Sequence, residues 1–135
     1  MKWNEYVGIP WERGAAGPHA YNCWNFVRHI QLEHFGRDLP QVMMNEDRPM
    51  GWVRLLHRHP ARRNWQETTT PSEGDCVEMG TGKSITHIGV WVDTDHGGVL
   101  HCLQGAGVVF SNRFVVRSEW PLLRFWRWEG ECRAG

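Results

Sequence analysis

The sequence has no long apolar run, no surplus of either charge and no closely paired cysteines. Its 135 residues contain no stretch approaching the roughly 18 consecutive apolar residues of a membrane helix, and the opening MKWNEY has no signal-peptide core. We therefore expect a protein that is made in the cytoplasm and is not inserted in a membrane. The 15 Lys and Arg balance the 15 Asp and Glu, so the basic surplus typical of a nucleic-acid partner is absent.

The spacing of the cysteines disfavours two kinds of site. No C-x-x-C pair occurs, which argues against both a zinc ribbon and a dense disulfide framework. The four cysteines, which we interpret as free thiols, are Cys23, Cys76, Cys102 and Cys132. We expect no metal and no cofactor, because His57-x-His59 and His101-Cys102 come without third and fourth ligands at a recognised spacing.

Length and tryptophan content are more informative. A chain of 135 residues is long enough to bury a core without disulfides, and residues 1–135 are predicted to form one domain. Nine tryptophans are unusual, because an indole combines a large apolar body with one N–H donor and favours interfaces as well as cores. We expect some of them to face a partner or a substrate.

The first half of the chain predicts helices and the second half predicts strands. Cys23 to Phe35 carries apolar residues at helical spacing between Asn22, a candidate N-cap, and Gly36, a candidate stop; Met50 to His59 is a weaker helix. Five β-rich runs follow, at residues 75–79, 85–92, 99–103, 107–110 and 122–128. This order predicts an α+β fold with N-terminal helices packed on one face of a five- to six-stranded antiparallel sheet.

One thiol and two histidines are the candidate reactive groups. Cys23 begins the first helix, where unpaired N–H groups and the macrodipole favour a thiolate. Alternation within residues 86–92 points His87 away from the aliphatic face, and a hairpin at residues 93–98 brings His101 within cross-strand reach. A nucleophile, a base and an orienting group can perform acyl transfer. The structural alternatives are a buried helix thiol and a satisfied core histidine.

The residues around these groups resemble the NlpC-type papain-like cysteine peptidases, particularly the branch associated with bacteriophage tails. The likeness covers nearly the whole chain in the family's order: Tyr6 to Pro10, Gly14, Gly17-Pro18, Tyr21 to Arg28, Pro71 to Val77, Thr86 to Trp91, Leu100-His101 and Arg124 to Arg127. The resemblance implies hydrolysis of an amide in the peptide stem of peptidoglycan through an acyl-enzyme. It implies Cys23 as nucleophile, His87 as general base and acid, and His101 as the orienting group.

The same resemblance implies partners and a place of action. The substrate is the stem peptide, the protein partners are tail-tip or hub proteins, and a protein made in the bacterial cytoplasm would act from a virion tail on the cell wall or periplasm. The candidate substrate-binding residues are Trp11, Asn22, Trp24 and Trp91.

Two alternatives stay open. Asn22 replaces the family's Asp, Asn25 replaces a Gly, and Trp11 stands where many members carry Tyr. These departures fit a structural tail-tip assembly or plug protein that uses the same fold with weak or no hydrolysis. The scaffold could also perform acyl transfer rather than hydrolysis.

Overall fold

The computed structural model describes residues 2–130, apart from the side chains of residues 49 and 50, so Cys132 lies outside the described residues. The helices are α1 (Cys23–Phe35), α2 (Pro49–Arg58) and α3 (Arg113–Glu119), and the strands are β1 (Trp65–Thr68), β2 (Cys76–Gly80), β3 (His87–Val92), β4 (Gly98–Leu103), β5 (Gly107–Asn112) and β6 (Leu122–Trp128). The strands form one antiparallel sheet in the order β1-β6-β2-β3-β4-β5. The predicted α+β class and strand number are confirmed.

Helix α1 has the boundaries that the sequence predicts. The Asn22 side chain accepts a hydrogen bond from the Asn25 backbone N–H at 2.8 Å, which satisfies one of the free donors of the first turn. Gly36 ends the helix with a φ of 68°, a left-handed conformation that favours glycine. The apolar stripe between these caps is buried and packs mainly on β3 and β4.

The β3–β4 hairpin positions the candidate histidines. Its register pairs Val90 with Leu100 and Trp91 with Val99, as the hairpin prediction requires. The ladder ends at Val90 and Leu100, although β4 stays paired with β5 as far as Leu103. Strands β3 and β4 are therefore no longer joined by ladder pairs where His87 begins β3.

The sheet is covered on both faces. Helix α1 packs against the face that carries Ile88 and Val90, here called the α1 face. Val116 of α3 packs with Trp91 and Val99 on the opposite face, here called the α3 face. The predicted N-terminal helices thus pack on one face, with Trp52 of α2 in the same core cluster as α1, whereas α3, which was not predicted, covers the other face.

No helix within residues 2–130 combines the length and the apolar character needed to cross a bilayer.

Candidate active site

The two candidate histidines meet on the α3 face of the sheet. Nε2 of His87 lies 2.8 Å from Nδ1 of His101, so a hydrogen bond joins the two imidazoles. The side chains are buried, with 7% and 1% of their respective residue surfaces exposed. The strand register therefore brings the base and the orienting group of the sequence prediction within direct reach of each other.

Gly89 makes the space that this pair needs. It lies on the same face of β3 as His87, two residues further along, and packs against β4. A Cβ at this position would lie 2.9 Å from the Cβ of His101 and 3.0 Å from the backbone oxygen of Leu100. These separations are too short for ordinary packing, so a side chain here would push His101 away from His87.

Two further residues complete the histidine arrangement. The His87 ring stacks on the Trp120 indole, with 5.2 Å between centroids and 17° between planes. The other nitrogen of His101, Nε2, lies 2.9 Å from Ser111 Oγ. Sequence reasoning missed both residues. Ser111 lies one position beyond the predicted end of its strand, and extending the alternation of β5 would have found it; Trp120 follows a helix that was not predicted.

Burial keeps both imidazoles neutral at neutral pH. Desolvation lowers the pKa of His87 well below its usual value, and the neighbouring His101 lowers it further. Desolvation alone lowers the pKa of His101 to about 4. A neutral imidazole has one N–H and one lone pair, so each ring can donate one hydrogen bond and accept one. The pair is therefore in the state that a general base requires.

Cys23 lies at the predicted position, but the pKa of its thiol differs from the prediction. Cys23 is the first residue of α1, and its sulfur faces the backbone N–H groups of Ile88 and Trp24, which favour the thiolate. Burial outweighs these groups and raises the pKa of the Cys23 thiol to about 12. The expectation of a thiolate stabilised by the helix N-terminus is wrong for this conformation, because the sulfur is desolvated.

The Cys23 sulfur approaches the backbone of the residue that follows His87 rather than the His87 imidazole. Ile88, whose N–H faces the sulfur, directly follows His87. Ile88 belongs to the α1 face, whereas His87 stacks on Trp120 on the α3 face. Among residues 2–130, no hydrogen bond joins Cys23 to His87. The pairing of this nucleophile with this base stays a prediction.

The four candidate substrate-binding residues have different environments. Trp24 is buried and its Nε1 donates to the Pro40 backbone oxygen at 3.0 Å, and buried Trp91 donates to Asp93 at 3.2 Å. Asn22 is also buried, as the cap of α1. Trp11 alone among the four is partly exposed. A substrate-binding role stays a prediction for all four.

A small cavity lies on the α1 face of the sheet. It has a volume of about 50 Å³, and its walls include Trp24 and Ile88, which follow Cys23 and His87 in the chain. Its polar wall is Glu78, which accepts from Trp126 Nε1 at 2.7 Å and lies 2.5 Å from His57 Nε2. No local sequence pattern indicates a role for this carboxylate, because its partners come from α2 and β6. The cavity can hold a small, mainly apolar group.

No cluster of three or more His, Cys, Asp or Glu side chains in the described part of the chain is suitably placed to hold a metal ion. The three described cysteines are free thiols, as predicted.

Comparisons with known proteins place this arrangement among related folds. The model of the NlpC/P60 family matches residues 8–120, the span that contains all three candidate reactive residues. The NlpC/p60 domain of the peptidoglycan hydrolase SagA is similar, with 20% identity, a TM-score of 0.55 and coverage of 82% of this chain and 83% of that one. A Staphylococcus aureus subsp. aureus Mu50 protein described as similar to a lipoprotein of the NLP/P60 family has 18% identity and a TM-score of 0.54.

The second alignment covers 91% of this chain but only 38% of the staphylococcal chain, so this protein corresponds to part of that one. At these identities the structural likeness supports the fold alone. No curated protein matches the sequence.

Proposed function

Because the chain belongs to the NlpC/P60 family, we propose that it is a cysteine peptidase that hydrolyses an amide bond in the peptide stem of peptidoglycan. The observation that carries the proposal is the buried hydrogen bond between His87 and His101, next to the strand position whose amide faces the Cys23 sulfur. This hydrogen bond orients the neutral imidazole of His87 near the first turn of α1, which begins with Cys23.

In the proposed reaction the Cys23 proton passes to His87 and the sulfur attacks the amide carbonyl carbon. Backbone N–H groups at the start of α1 stabilise the oxyanion. His87 then gives the proton to the leaving nitrogen as the C–N bond breaks, which leaves a thioester on Cys23. Water attacks the thioester, losing a proton to His87, and the restored thiol takes that proton back. His101 holds the His87 ring throughout.

The resting conformation sets a condition on this chemistry. The thiol and the imidazole are both neutral, and the sulfur is directed to the Ile88 amide rather than to His87. In the proposal the reactive pair forms when the Cys23 sulfur turns toward the His87 imidazole. This ring lies at the start of β3, where β3 and β4 are not joined by ladder pairs. Substrate binding provides the contacts that favour this arrangement.

The biological setting is also part of the proposal. The residues that resemble the bacteriophage tail branch, Tyr6 to Pro10, Gly14, Gly17-Pro18 and Tyr21 to Arg28, support a protein of a phage or phage-like tail. Its partners are then tail-tip or hub proteins, and its place of action is the cell wall or periplasm.

Digestion of purified peptidoglycan tests the proposed activity. The wild-type protein is expected to release new amino termini, identified by mass spectrometry, and Cys23→Ala is expected to release none. Cys76→Ala is the matched control, because it removes a second buried free thiol that takes no part in the proposed reaction. If wild-type protein yields no new termini on several wall chemistries, the proposal is wrong.

A structural tail-tip component is the second candidate. The burial of Cys23, with a thiol pKa of about 12 and no hydrogen bond to His87 within residues 2–130, favours it. Labelling with iodoacetamide at neutral pH separates the two. A peptidase requires Cys23 to react ahead of Cys76 and Cys102, whereas equal or slower labelling of Cys23 supports the structural role.

A further inference from the structure

A series of arginines lies on the exposed side of α2 and of the 3₁₀ helix Pro60–Asn64 that follows it. Residues 48–66 contain five Arg and no Asp or Glu, although the whole chain carries equal numbers of basic and acidic residues. Four exposed arginines of these two helices are here called the α2 basic surface: Arg54, Arg58, Arg62 and Arg63. Positive charge is therefore concentrated on one segment of a neutral chain.

No acidic side chain within residues 2–130 forms an ion pair with this surface. The two acids that precede the segment in sequence, Glu46 and Asp47, both pair with Arg13, at 3.7 and 3.1 Å. Glu78 is buried and pairs with His57 of α2. The guanidinium groups of the surface are thus not neutralised by the fold.

The charges do not stabilise the helix that carries them. Arg54 and Arg58 are four residues apart, so they are like-charged neighbours on one face of α2, and such pairs are destabilising. Arg48, the N-cap of α2, makes no capping hydrogen bond and places a cation where the macrodipole favours an anion. Only Arg58 lies in the last turn, where a cation is favoured. This arrangement costs stability in the isolated chain, which indicates a partner of opposite charge.

The remaining side chains of α2 indicate the kind of partner. Its apolar side is already covered, since Trp52 is 2% exposed and packs on Trp24. Among the α2 side chains that the structure describes, Leu55 is the one large apolar group that is exposed. A membrane-bound helix needs a free apolar face, and a protein interface needs an apolar or aromatic centre. A flexible anionic polymer needs only a series of cations, and guanidinium groups pair well with phosphate.

We propose that the α2 basic surface binds a phosphodiester polymer attached to the bacterial cell wall. This binding site goes beyond the proposed peptidase function and rests on it only for its place of action. Arg54 and Arg58 lie one helical turn apart, about 6 Å along the axis, and can contact neighbouring phosphates. Arg62 continues the series, with its guanidinium carbon 4.8 Å from the centre of the Trp126 ring. The polymer holds the protein on the wall without taking part in hydrolysis.

Binding of the full chain to purified cell walls tests the proposal. All proteins carry Cys23→Ala, so that hydrolysis cannot alter the walls, and this single variant is the reference protein. One wall preparation keeps its phosphodiester polymers and the other has lost them by treatment with hydrofluoric acid. The dissociation constant from cosedimentation should be about tenfold lower on the polymer-bearing walls at low salt, and the difference should shrink as salt rises. Adding Arg54→Gln, Arg58→Gln and Arg63→Gln should abolish the difference.

A matched control removes three exposed cations from other parts of the chain: Lys83→Gln, Arg117→Gln and Arg124→Gln. It has the same net charge as the surface variant and should bind polymer-bearing walls within about twofold of the reference protein. Urea unfolding shows whether both variants fold. The surface variant should be at least as stable as the reference protein, because it loses a like-charged pair.

Three results would overturn the proposal. Equal binding of the reference protein to the two wall preparations does so without any further variant. Equal losses in the surface variant and the control would show that net charge, rather than this surface, determines binding. Tighter binding to duplex DNA or to phosphatidylglycerol vesicles than to the polymer released from the wall would assign the surface to a nucleic acid or a membrane. Because the assay needs no hydrolysis, a protein that binds the polymer but cleaves no peptidoglycan would refute the proposed function alone.

Discussion

The two faces of the sheet hold their candidate reactive groups by different interactions. On the α3 face, His87 is held by a hydrogen bond to His101 and by stacking on Trp120. On the α1 face, Cys23 is enclosed mainly by apolar packing, and burial raises its pKa to about 12. Hydrogen bonds therefore organise the base, whereas packing restrains the nucleophile.

A second thiol on the α1 face shows what determines this difference. Cys102 lies in the middle of the sheet with its sulfur 3.3 Å from the Tyr21 backbone oxygen, and burial raises its pKa to about 12 as well. At Cys23 the backbone N–H groups of Ile88 and Trp24 lower the pKa, but burial outweighs them. Desolvation is therefore the largest influence on the pKa of both thiols.

The largest effect should come from removing the imidazole. His87→Gln keeps a polar side chain but eliminates the base, and kcat for peptidoglycan hydrolysis is expected to fall by about 10³-fold or more. His19→Gln is the matched control, because His19 is exposed and lies outside the strands and helices. Steady-state release of amino termini measures both. Activity of His87→Gln within tenfold of wild type would show that the α3 face does not supply the base.

Acid should unfold the protein through the same histidines. Burial lowers the pKa of His101 to about 4, so the folded state stays unprotonated over a range in which the unfolded state, with a pKa of about 6.5, binds a proton. The free energy of unfolding should therefore fall between about pH 6.5 and pH 4, by roughly 3 kcal/mol for His101. His87, whose pKa is also lowered, adds to the loss.

Urea unfolding at a series of pH values measures this slope. His101→Gln should show a shallower slope, since the unfolded state then gains one proton fewer than in wild type. Equal slopes for the two proteins would mean that His101 titrates normally in the folded state.

Local sequence patterns were sufficient to predict the features that lie within one helix or one hairpin. Asn22 and Gly36 cap α1 as expected, and the hairpin register brings His87 and His101 together. These features depend on residues near one another in sequence. Helix α3 was missed because its RFVVRSE sequence is rich in the β-branched valine, which favours strands, and its clearest signal is the Asn112 cap.

The chemistry of the site depends on contacts between distant segments, which explains what the sequence could not predict. The pKa of Cys23 is set by burial against β3 and β4, and His101 is hydrogen-bonded to Ser111 in the next strand. A helix N-terminus is visible in the sequence, but the loss of water around it is not. The predicted direction of the Cys23 pKa shift was wrong for that reason.

Gly89→Ala should disturb the α3 face through packing alone. The new Cβ would lie 2.5 Å from Val99 Cγ1 and 2.9 Å from His101 Cβ, so the β3–β4 contact must widen. We expect a loss of about 2 kcal/mol in the free energy of unfolding and a lengthened bond between His87 and His101. Denaturant unfolding measures the first effect, and the His87 ¹⁵N shifts measure the second.

Gly51→Ala is the control for this substitution. A Cβ at Gly51 meets no atom within 4 Å, and Gly51 lies inside α2, where alanine is the better helix former. It should be neutral or stabilising by about 0.5–1 kcal/mol. Gly89→Ala with wild-type stability and unchanged histidine shifts would show that the two strands are not in tight contact.

The smallest effect concerns the thiol side, where Asn22 stands at the position for which the family resemblance implies Asp. Asn22 Nδ2 donates to Glu46 Oε1 at 3.1 Å, and Gly14 N–H donates to the same oxygen at 2.8 Å. Burial opposes ionisation of Glu46, but these hydrogen bonds outweigh it and hold the pKa below its usual value. An aspartate at residue 22 would still cap α1 but would lose the donor and face a carboxylate.

Asn22→Asp should therefore cost about 1 kcal/mol in the free energy of unfolding, despite restoring the family residue and adding a favourable charge at a helix N-terminus. Glu46→Gln in the same chain should recover part of the loss, because it removes the carboxylate that faces the new aspartate. A double-mutant cycle by urea unfolding measures the coupling. Additive costs for the two substitutions would mean that Asn22 and Glu46 act independently. In that case the asparagine would need an explanation other than its bond to Glu46.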